Sequence, residues 1–249
     1  MSIPFVEAHT HLDHYDEAEL ADVLASYGEL PCVSWAVTID LESWAEAQKR
    51  AVNRPEILPT FGIHPWEAHR YHDRLDELDE PIAVSAHLGE IGLDFVWVKE
   101  EERWPWQIEI FDYFLVRAAA QNKIVNLHTK GAEQLTADKL RQFKVERALV
   151  HWYSGPIDAF DDLVSLGCYF SFGIELPHSE HIQALARRCP RDRILTETDG
   201  PGAQEWLTGE RASPRQIPSF VTLLAELHGV DAAEMKGQVW ENYQHMMGN

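Results

Sequence analysis

Two histidines one residue apart, His9 and His11, follow the short apolar run Ile3-Pro4-Phe5-Val6. On a strand, residues two apart share a face, so both imidazoles would point the same way, about 7 Å apart. Neutral imidazole is the commonest metal-ligating side chain, and a pair from one rigid strand supplies half of a tetrahedral or facial ligand set. Taken alone, the pair reads equally well as two ordinary polar histidines. Groups of similar chemistry recur along the chain, in Gly62-Ile63-His64-Pro65, Gly89-Glu90-Ile91-Gly92-Leu93-Asp94, Leu127-His128-Thr129-Lys130, His151-Trp152-Tyr153-Ser154-Gly155 and Glu197-Thr198-Asp199-Gly200-Pro201.

The elements that would carry these groups alternate. Short aliphatic or β-branched runs at 4–8, 32–38, 57–61, 85–90, 124–127, 148–150, 168–172 and 193–196 read as strands. Helical periodicity fills 16–27, 41–53, 105–122, 133–143, 156–166, 178–189, 214–228 and 232–246. Pro105, Pro156 and Pro214 suit first-turn positions, and Asp231 suits a cap for the last helix. Eight strand-helix units in 249 residues predict an α/β fold of the (β/α)8 TIM-like barrel class, organised as one hydrolase domain over residues 1–249. An open doubly wound sheet is the second choice. Catalytic groups of such barrels sit at the carboxyl ends of the strands, where the chemistry-bearing groups fall. His9 to His64 spans 55 residues and His151 to Asp199 spans 48, each about two units. The intervening steps of 26, 38 and 23 residues are each about one. Strands two and seven end without a candidate ligand.

Composition bounds the partners. Hydrophobic residues make up 45% and charged residues 25%, as expected of a soluble globular chain. No run of eighteen apolar residues occurs, and no basic segment followed by an apolar one opens the sequence, so the expectation is a cytoplasmic protein with no membrane association. Cys32, Cys168 and Cys189 are odd in number and lie in apolar contexts, which suits reduced structural thiols. Lys and Arg total 21 against 41 Asp and Glu, a formal charge of −20. Tight binding of duplex nucleic acid through its phosphates calls for a basic surface, and this balance excludes it. A local cationic site built from bound divalent ions would still accept a phosphate.

Four histidines and two carboxylates converging on one barrel mouth would make a binuclear metal centre. The expected ligands are His9, His11, Glu90 and Asp199 for one ion and Glu90, His128 and His151 for the other, with Glu90 bridging. Such a pair activates a shared water and polarises the electrophile. Asp199 is then placed to orient the nucleophile and accept its proton. His64 reads either as a phosphate donor or general acid, or as a structural histidine in a tight turn. Lys130 is a candidate phosphate or oxyanion contact, Trp152 a candidate substrate contact, and Glu197 a candidate partner that orients a ligand. Trp66, Trp97, Trp152 and Trp206 would either stack unpaired bases or pack loops onto the rim. The acidic stretch 73–80 and His14, His69, His72, His87, His178, His181, His228 and His245 read as surface or helix positions.

Taken together, HTHLD, GIHP, GEIGLD, LHTK, HWYSG and ETDGP, with Glu241-Asn242 in the last helix, resemble the TatD family of metal-dependent deoxyribonucleases, a branch of the amidohydrolase superfamily. The resemblance implies the six metal ligands His9, His11, Glu90, His128, His151 and Asp199 on a (β/α)8 barrel. It further implies two-metal hydrolysis of phosphodiesters from the 3′ end of DNA, often with magnesium. The expected cofactors are two divalent ions, zinc on the grounds of four imidazoles or magnesium or manganese on the grounds of the family. The expected partner is single-stranded DNA or a small phosphodiester, with no obligate protein partner. The sequence departs from the family at Glu7 in place of Asp, Lys130 in place of Arg, Trp152 in place of a small residue and Ser213 in place of Asn. A flexible ammonium at Lys130 replaces a planar two-pronged guanidinium. An amidohydrolase-type activity on a small ester, amide or lactone, and a non-catalytic subunit of a larger complex, are the alternative expectations.

Overall fold

The computed structural model describes residues 3–248. Its strands are β1 (Phe5–Thr10), β2 (Cys32–Val37), β3 (Ile57–Thr60), β4 (Leu88–Asp94), β5 (Val125–Lys130), β6 (Ala148–Val150), β7 (Tyr169–Phe172) and β8 (Ile194–Thr196). The helices are α1 (Glu17–Glu29), α2 (Leu41–Arg50), α3 (Asp79–Val84), α4 (Trp104–Gln121), α5 (Glu133–Phe143), α6 (Ile157–Ser165), α7 (Glu180–Arg188), α8 (Gly202–Thr208), α9 (Ile217–His228) and α10 (Ala232–Met247). Strand and helix therefore alternate in the predicted order. The chain divides into two compact units, one of Met1–Ala36, Lys49–Leu58 and Tyr169–Asn249 and the other of Val37–Gln48 and Pro59–Cys168.

In the first unit β1 runs parallel to β2, with Phe5 opposite Cys32 and Glu7 opposite Ser34, and the register slips between Glu7 and Thr10. β7 runs parallel to β8, with Phe170 opposite Ile194. A parallel bridge from Thr10 to Gly200 joins the β1 end to the segment after β8. Helices α9 and α10 lie against β1 and β8, and Val6, Ala8, Ile194, Leu195, Leu224 and Val239 are all buried. Asn242 in α10 is wholly buried and donates through Nδ2 to the carbonyls of Arg191 and Ile194, at 2.7 and 2.8 Å, fixing the start of β8. Asp16 caps α1 by accepting from the Ala18 and Glu19 amides, and Glu19 returns a bond to the Asp16 amide. Asp231 caps α10 as expected, accepting from the Glu234 amide.

In the second unit β4, β5 and β6 are parallel neighbours, with Gly92 opposite His128 and Leu127 opposite Val150. A bridge from Phe61 to Leu88 ties the end of β3 to β4. Helix α4 packs on β4 and buries Phe111, Phe114 and Leu115. The Phe114 ring stands 5.7 Å from that of Phe61. All seven positions of β4 are buried. Strands of parallel sheets, covered on both faces, lose the in-out alternation of exposed strands.

Most boundaries agree with the sequence reading within a few residues, and β4 is the main departure. The expected 85–90 strand starts three residues late and continues to Asp94. Helix α3 ends at Val84 with Ser85 as its cap, so the residues before Leu88 belong to a turn. The strand continues because its glycines permit close approach: a Cβ on Gly92 would stand 2.0 Å from the His128 carbonyl oxygen. Gly62 is needed in the same way, since a Cβ there would meet the Glu90 carbonyl at 2.2 Å. Two stretches expected as loop or solvated face carry helix. Pro65–Arg70 and Leu75–Leu78 are 3-10 turns, and Leu78 and Ile82 anchor the acidic 73–84 region by burying completely.

Candidate metal centre

In the first unit β1 stops at Thr10, and His11 follows as the residue that opens the 3-10 turn Leu12–His14. His9 is wholly buried, and the His11 side chain is 12% exposed. Their Nε2 atoms lie 3.6 and 3.4 Å from the same Asp199 Oδ1, and the two rings meet edge to face at 5.2 Å. Asp199 is held by donating its amide to the His9 carbonyl at 3.0 Å. Its φ of +47° is left-handed, a conformation that non-glycine residues adopt at sites the surrounding structure over-determines.

Glu7, completely buried two residues before His9, accepts from the Thr198 amide at 2.8 Å and so ties β1 to the Asp199 segment. Burial pushes its carboxyl up to about 8, against hydrogen bonds from Thr198 and His9 that favour the anion, and the Asp199 charge adds to the rise. Glu197 is also buried and accepts from the Ser171 hydroxyl at 2.6 Å, joining β8 to β7. Beside this set, the His14 ring stacks on His11 at 5.0 Å, with its Nε2 3.3 Å from Asp13 Oδ2.

The second unit gathers three imidazoles around one carboxylate. Glu90 Oε1 lies 2.8 Å from His128 Nδ1, 2.8 Å from His151 Nε2 and 3.4 Å from His64 Nε2. All four residues are buried. The other nitrogen of His128, Nε2, lies 3.0 Å from Asp94 Oδ2. A carboxylate oxygen accepts only, so Nε2 carries a proton for Asp94, and Nδ1, which also meets a carboxylate, carries one for Glu90 unless a metal takes its place. His64 is oriented differently: its Nδ1 accepts from the Trp66 amide at 3.2 Å, which leaves the ring proton on Nε2. His128 thus turns to the cluster the nitrogen that would bind a metal, Nδ1, and His64 offers a proton.

Asp94 is completely buried, yet its carboxyl is held well below the usual carboxylate range. Burial opposes the charge, but the hydrogen bond and charge of His128 and the bonds from the Trp97 amide and Trp66 indole outweigh it. His128 is raised: burial disfavours its cation, and the bonds and charges of Asp94 and Glu90 prevail. Lys130, at the end of β5, donates to the Trp152 carbonyl at 2.9 Å and to Ser154 Oγ at 2.8 Å. Its ammonium stands 5.0 Å from the centre of the Trp152 ring. Trp66 and Trp97 expose about half of their surface, at 49% and 53%, and Trp206 exposes 65%.

The donor chemistry fits divalent metal. His64, Glu90 and His128 each offer an atom within 4.8 Å of the others, and His11, Asp13 and His14 form a similar, more open group. Ligands about 2.0–2.1 Å from a tetrahedral ion sit about 3.3 Å from one another. The 3.4 and 3.6 Å spacings at Asp199 match that edge, while His128 and His151 stand at hydrogen-bond distance, 2.8 Å, from Glu90. The first unit therefore assembles His9, His11 and Asp199, and the second assembles Glu90, His64, His128 and His151. The sequence reading passed over Asp94, although Glu90, Gly92 and Asp94 alternate along β4 and a residue four positions beyond a ligand on a strand shares its face.

A profile of the family described as TatD related DNase matches residues 6–248. The chain belongs to the TatD family. It is 28% identical over 255 residues to the uncharacterized metal-dependent hydrolase YcfH of Escherichia coli K12, covering 97% of this chain and 94% of that protein. It is 30% identical over 197 residues to the 3'-5' ssDNA/RNA exonuclease TatD of Edwardsiella piscicida, covering 74% of each. The crystal structure of YJJV, a TatD homologue from Escherichia coli K12, superposes with a TM-score of 0.85 at 22% identity, over 99% of this chain and 98% of that one. The fold of this TatD-family chain is thus an α/β fold of parallel strands and helices, consistent with a TIM-like barrel. It is a TatD-family metal-dependent hydrolase, with His, Glu and Asp groups capable of holding metal.

Proposed function

We propose that the chain is a deoxyribonuclease of 3′-to-5′ exonuclease type, acting on single-stranded DNA or nucleotide-like phosphodiesters with two divalent ions, zinc, magnesium or manganese. The observation that carries this reading is the Glu90 cluster, in which His128 Nδ1, His151 Nε2 and the His64 Nε2 proton all face one carboxylate oxygen. Relatives named as nucleases support it. In this reading His9, His11, Asp199, Glu90, His128 and His151 are the metal ligands, and residues 1–249 work as a single hydrolase domain. Bound divalent ions would supply positive charge at the scissile phosphate and acidify the attacking water. Asp199 orients that water and takes its proton at a carboxylate oxygen. Glu90 lies 2.8 Å from both His128 Nδ1 and His151 Nε2 and would hold an ion together with them. His64 donates its Nε2 proton to the leaving oxygen.

Trp66 and Trp97 offer exposed aromatic faces for unpaired bases, where stacking contributes about 1–3 kcal/mol per base. No helix of the described residues is long and apolar enough to cross a membrane. We place the activity in the cytoplasm.

The test is elemental analysis of the purified protein, then a panel of end-labelled single-stranded oligonucleotides and bis(p-nitrophenyl) phosphate with metal add-back. Metal-dependent shortening from the 3′ end is expected, with a loss of at least about a thousandfold in Glu90→Gln, the scale on which active-site electrostatic groups act. Undiminished cleavage by Glu90→Gln would overturn the reading. A second reading, hydrolysis of a small ester, amide or lactone, is favoured by the engagement of Lys130 with Trp152 and Ser154 and by the −20 charge. Turnover of such substrates without cleavage of either phosphodiester decides for it.

A further inference from the structure

Asp94 is a buried carboxylate of the second unit with bonds on both oxygens, and the ligand set gives it no role. Its Oδ2 accepts from the Trp66 indole at 2.7 Å and from His128 Nε2 at 3.0 Å. Its Oδ1 accepts from the Val96 and Trp97 amides at 2.9 and 2.8 Å. Its backbone is pinned on both sides by Gln107, which accepts from the Asp94 amide at 2.8 Å and donates to its carbonyl at 3.1 Å. Gln107 is itself 1% exposed, on α4. A carboxylate with both oxygens engaged and its backbone clamped does not swing, so what it bonds is held in place.

Two histidines depend on that placement. His128 is held directly, with Nε2 on Asp94 and Nδ1 turned to Glu90. His64 is held through Trp66, whose indole Asp94 fixes, whose amide donates to His64 Nδ1, and whose ring meets His64 edge to face at 4.8 Å. We propose that Asp94 is a positioning residue that selects Nδ1 of His128 as the metal-facing nitrogen and, through Trp66, sets the direction of the His64 ring. This rests on the metal-dependent reading above. Carboxylates behind metal-ligating histidines fix ring orientation and raise ligand basicity, and losing one weakens metal binding about 10–100-fold. The exposed Trp66 and Trp97 extend from the same carboxylate, so the aromatic rim and the metal-facing nitrogen share one anchor.

The experiment measures metal affinity, by competition with a chelator, for the full-length wild type, Asp94→Asn and Trp66→Phe, with thermal unfolding of each apo form alongside. Asp94→Asn is isosteric but can present an amide N–H to His128, which favours the opposite ring tautomer and blocks Nδ1. The expected result is a 10–100-fold loss of affinity in Asp94→Asn, with Trp66→Phe, which removes one donor and keeps a ring, within about twofold of wild type. Nitrogen-15 spectra of the metal-loaded wild type supply a reading that no failure of a variant to fold can disturb, and they should show His128 protonated on Nε2 alone. Wild-type affinity in Asp94→Asn, an equal loss in Trp66→Phe, or a proton on His128 Nδ1 overturns the proposal. A wild type that binds no divalent metal overturns the metal-dependent reading as well, which separates the two failures.

Discussion

Lys130 was expected from the sequence as a phosphate contact, and the geometry around it leads to a specific test. Its ammonium donates at 2.9 Å to the carbonyl of Trp152 and at 2.8 Å to Ser154 Oγ, and it faces the Trp152 ring at 5.0 Å. Trp152 has a φ of +35°, which a bulky side chain adopts at a cost of about 1–3 kcal/mol. The lysine bonds help to hold the backbone there. Hydrogen bonds from a charged donor contribute about 1.5–3 kcal/mol each, and a cation over an aromatic face adds about 0.5–1. Ordering a lysine side chain costs up to about 2 kcal/mol, and partial exposure weakens both bonds, leaving a net of roughly 2 kcal/mol.

Lys130→Met should therefore lower unfolding stability by about 2 kcal/mol, which in a chain of this length moves Tm down by roughly 4–8 °C. Because glycine adopts positive φ without strain, the same substitution in a Trp152→Gly background should cost less, with a coupling of at least about 0.5 kcal/mol. Urea denaturation of the four proteins of this cycle, with metal chelated throughout, measures both numbers. A Lys130→Met variant within about 0.5 kcal/mol of wild type, together with a tenfold rise in KM for an oligonucleotide, would refute the reasoning and return the lysine to the substrate.

Two further outcomes are expected. Burial first, then the charges of Arg147 and Lys123, push the His87 imidazole down from 6.5 to about 4, so the folded state prefers it neutral. The unfolded chain then binds the extra proton between those values, and the contribution, at most about 3 kcal/mol, is complete above pH 6.5 and lost as the pH falls through 4. Wild type should lose stability relative to His87→Gln in urea midpoints as the pH falls from 6.5 to about 4; parallel curves would contradict this. Asn242→Leu removes both bonds to the Arg191 and Ile194 carbonyls and leaves the buried Ile194 acceptor unsatisfied, a loss of roughly 1–3 kcal/mol in urea unfolding, with a change below about 0.5 kcal/mol counting against the role assigned to it.

The order of strands and helices was legible because each depends on local periodicity and capping. Glu133–Phe143 carries a clean amphipathic pattern, and Asp231 announces α10 by its type and position. β4 was harder to read. Its glycines and acids, Gly89, Glu90, Gly92 and Asp94, have weak strand propensity, and what makes them a strand is the closeness of β5. The same local weakness hid α3 and the turn at Pro65–Arg70, whose helical form depends on buried Leu78, Ile82 and Ala68 more than on propensity. His9 and His11 were read as two residues of one strand face. They do converge on Asp199, but by a strand that ends between them and a turn that starts at His11.

Residue type alone could not separate the roles of His64 and His128. Both are buried imidazoles within 3.4 Å of Glu90 Oε1, and each would pass for a ligand. What separates them is the partner of the second nitrogen. A backbone amide on His64 Nδ1 forces the proton onto the nitrogen that faces Glu90, whereas the Asp94 carboxylate keeps a proton on His128 Nε2 and leaves Nδ1 as the nitrogen a metal would take. The two rings are 4.6 Å apart and nearly perpendicular, so a proton donor and a metal-facing nitrogen sit side by side at one carboxylate. Hydrolysis needs both functions within reach of the same phosphate, one to hold positive charge beside it and one to protonate the oxygen that leaves. The groups that assign them, Trp66 and Asp94, lie outside any list of candidate ligands drawn up from residue type.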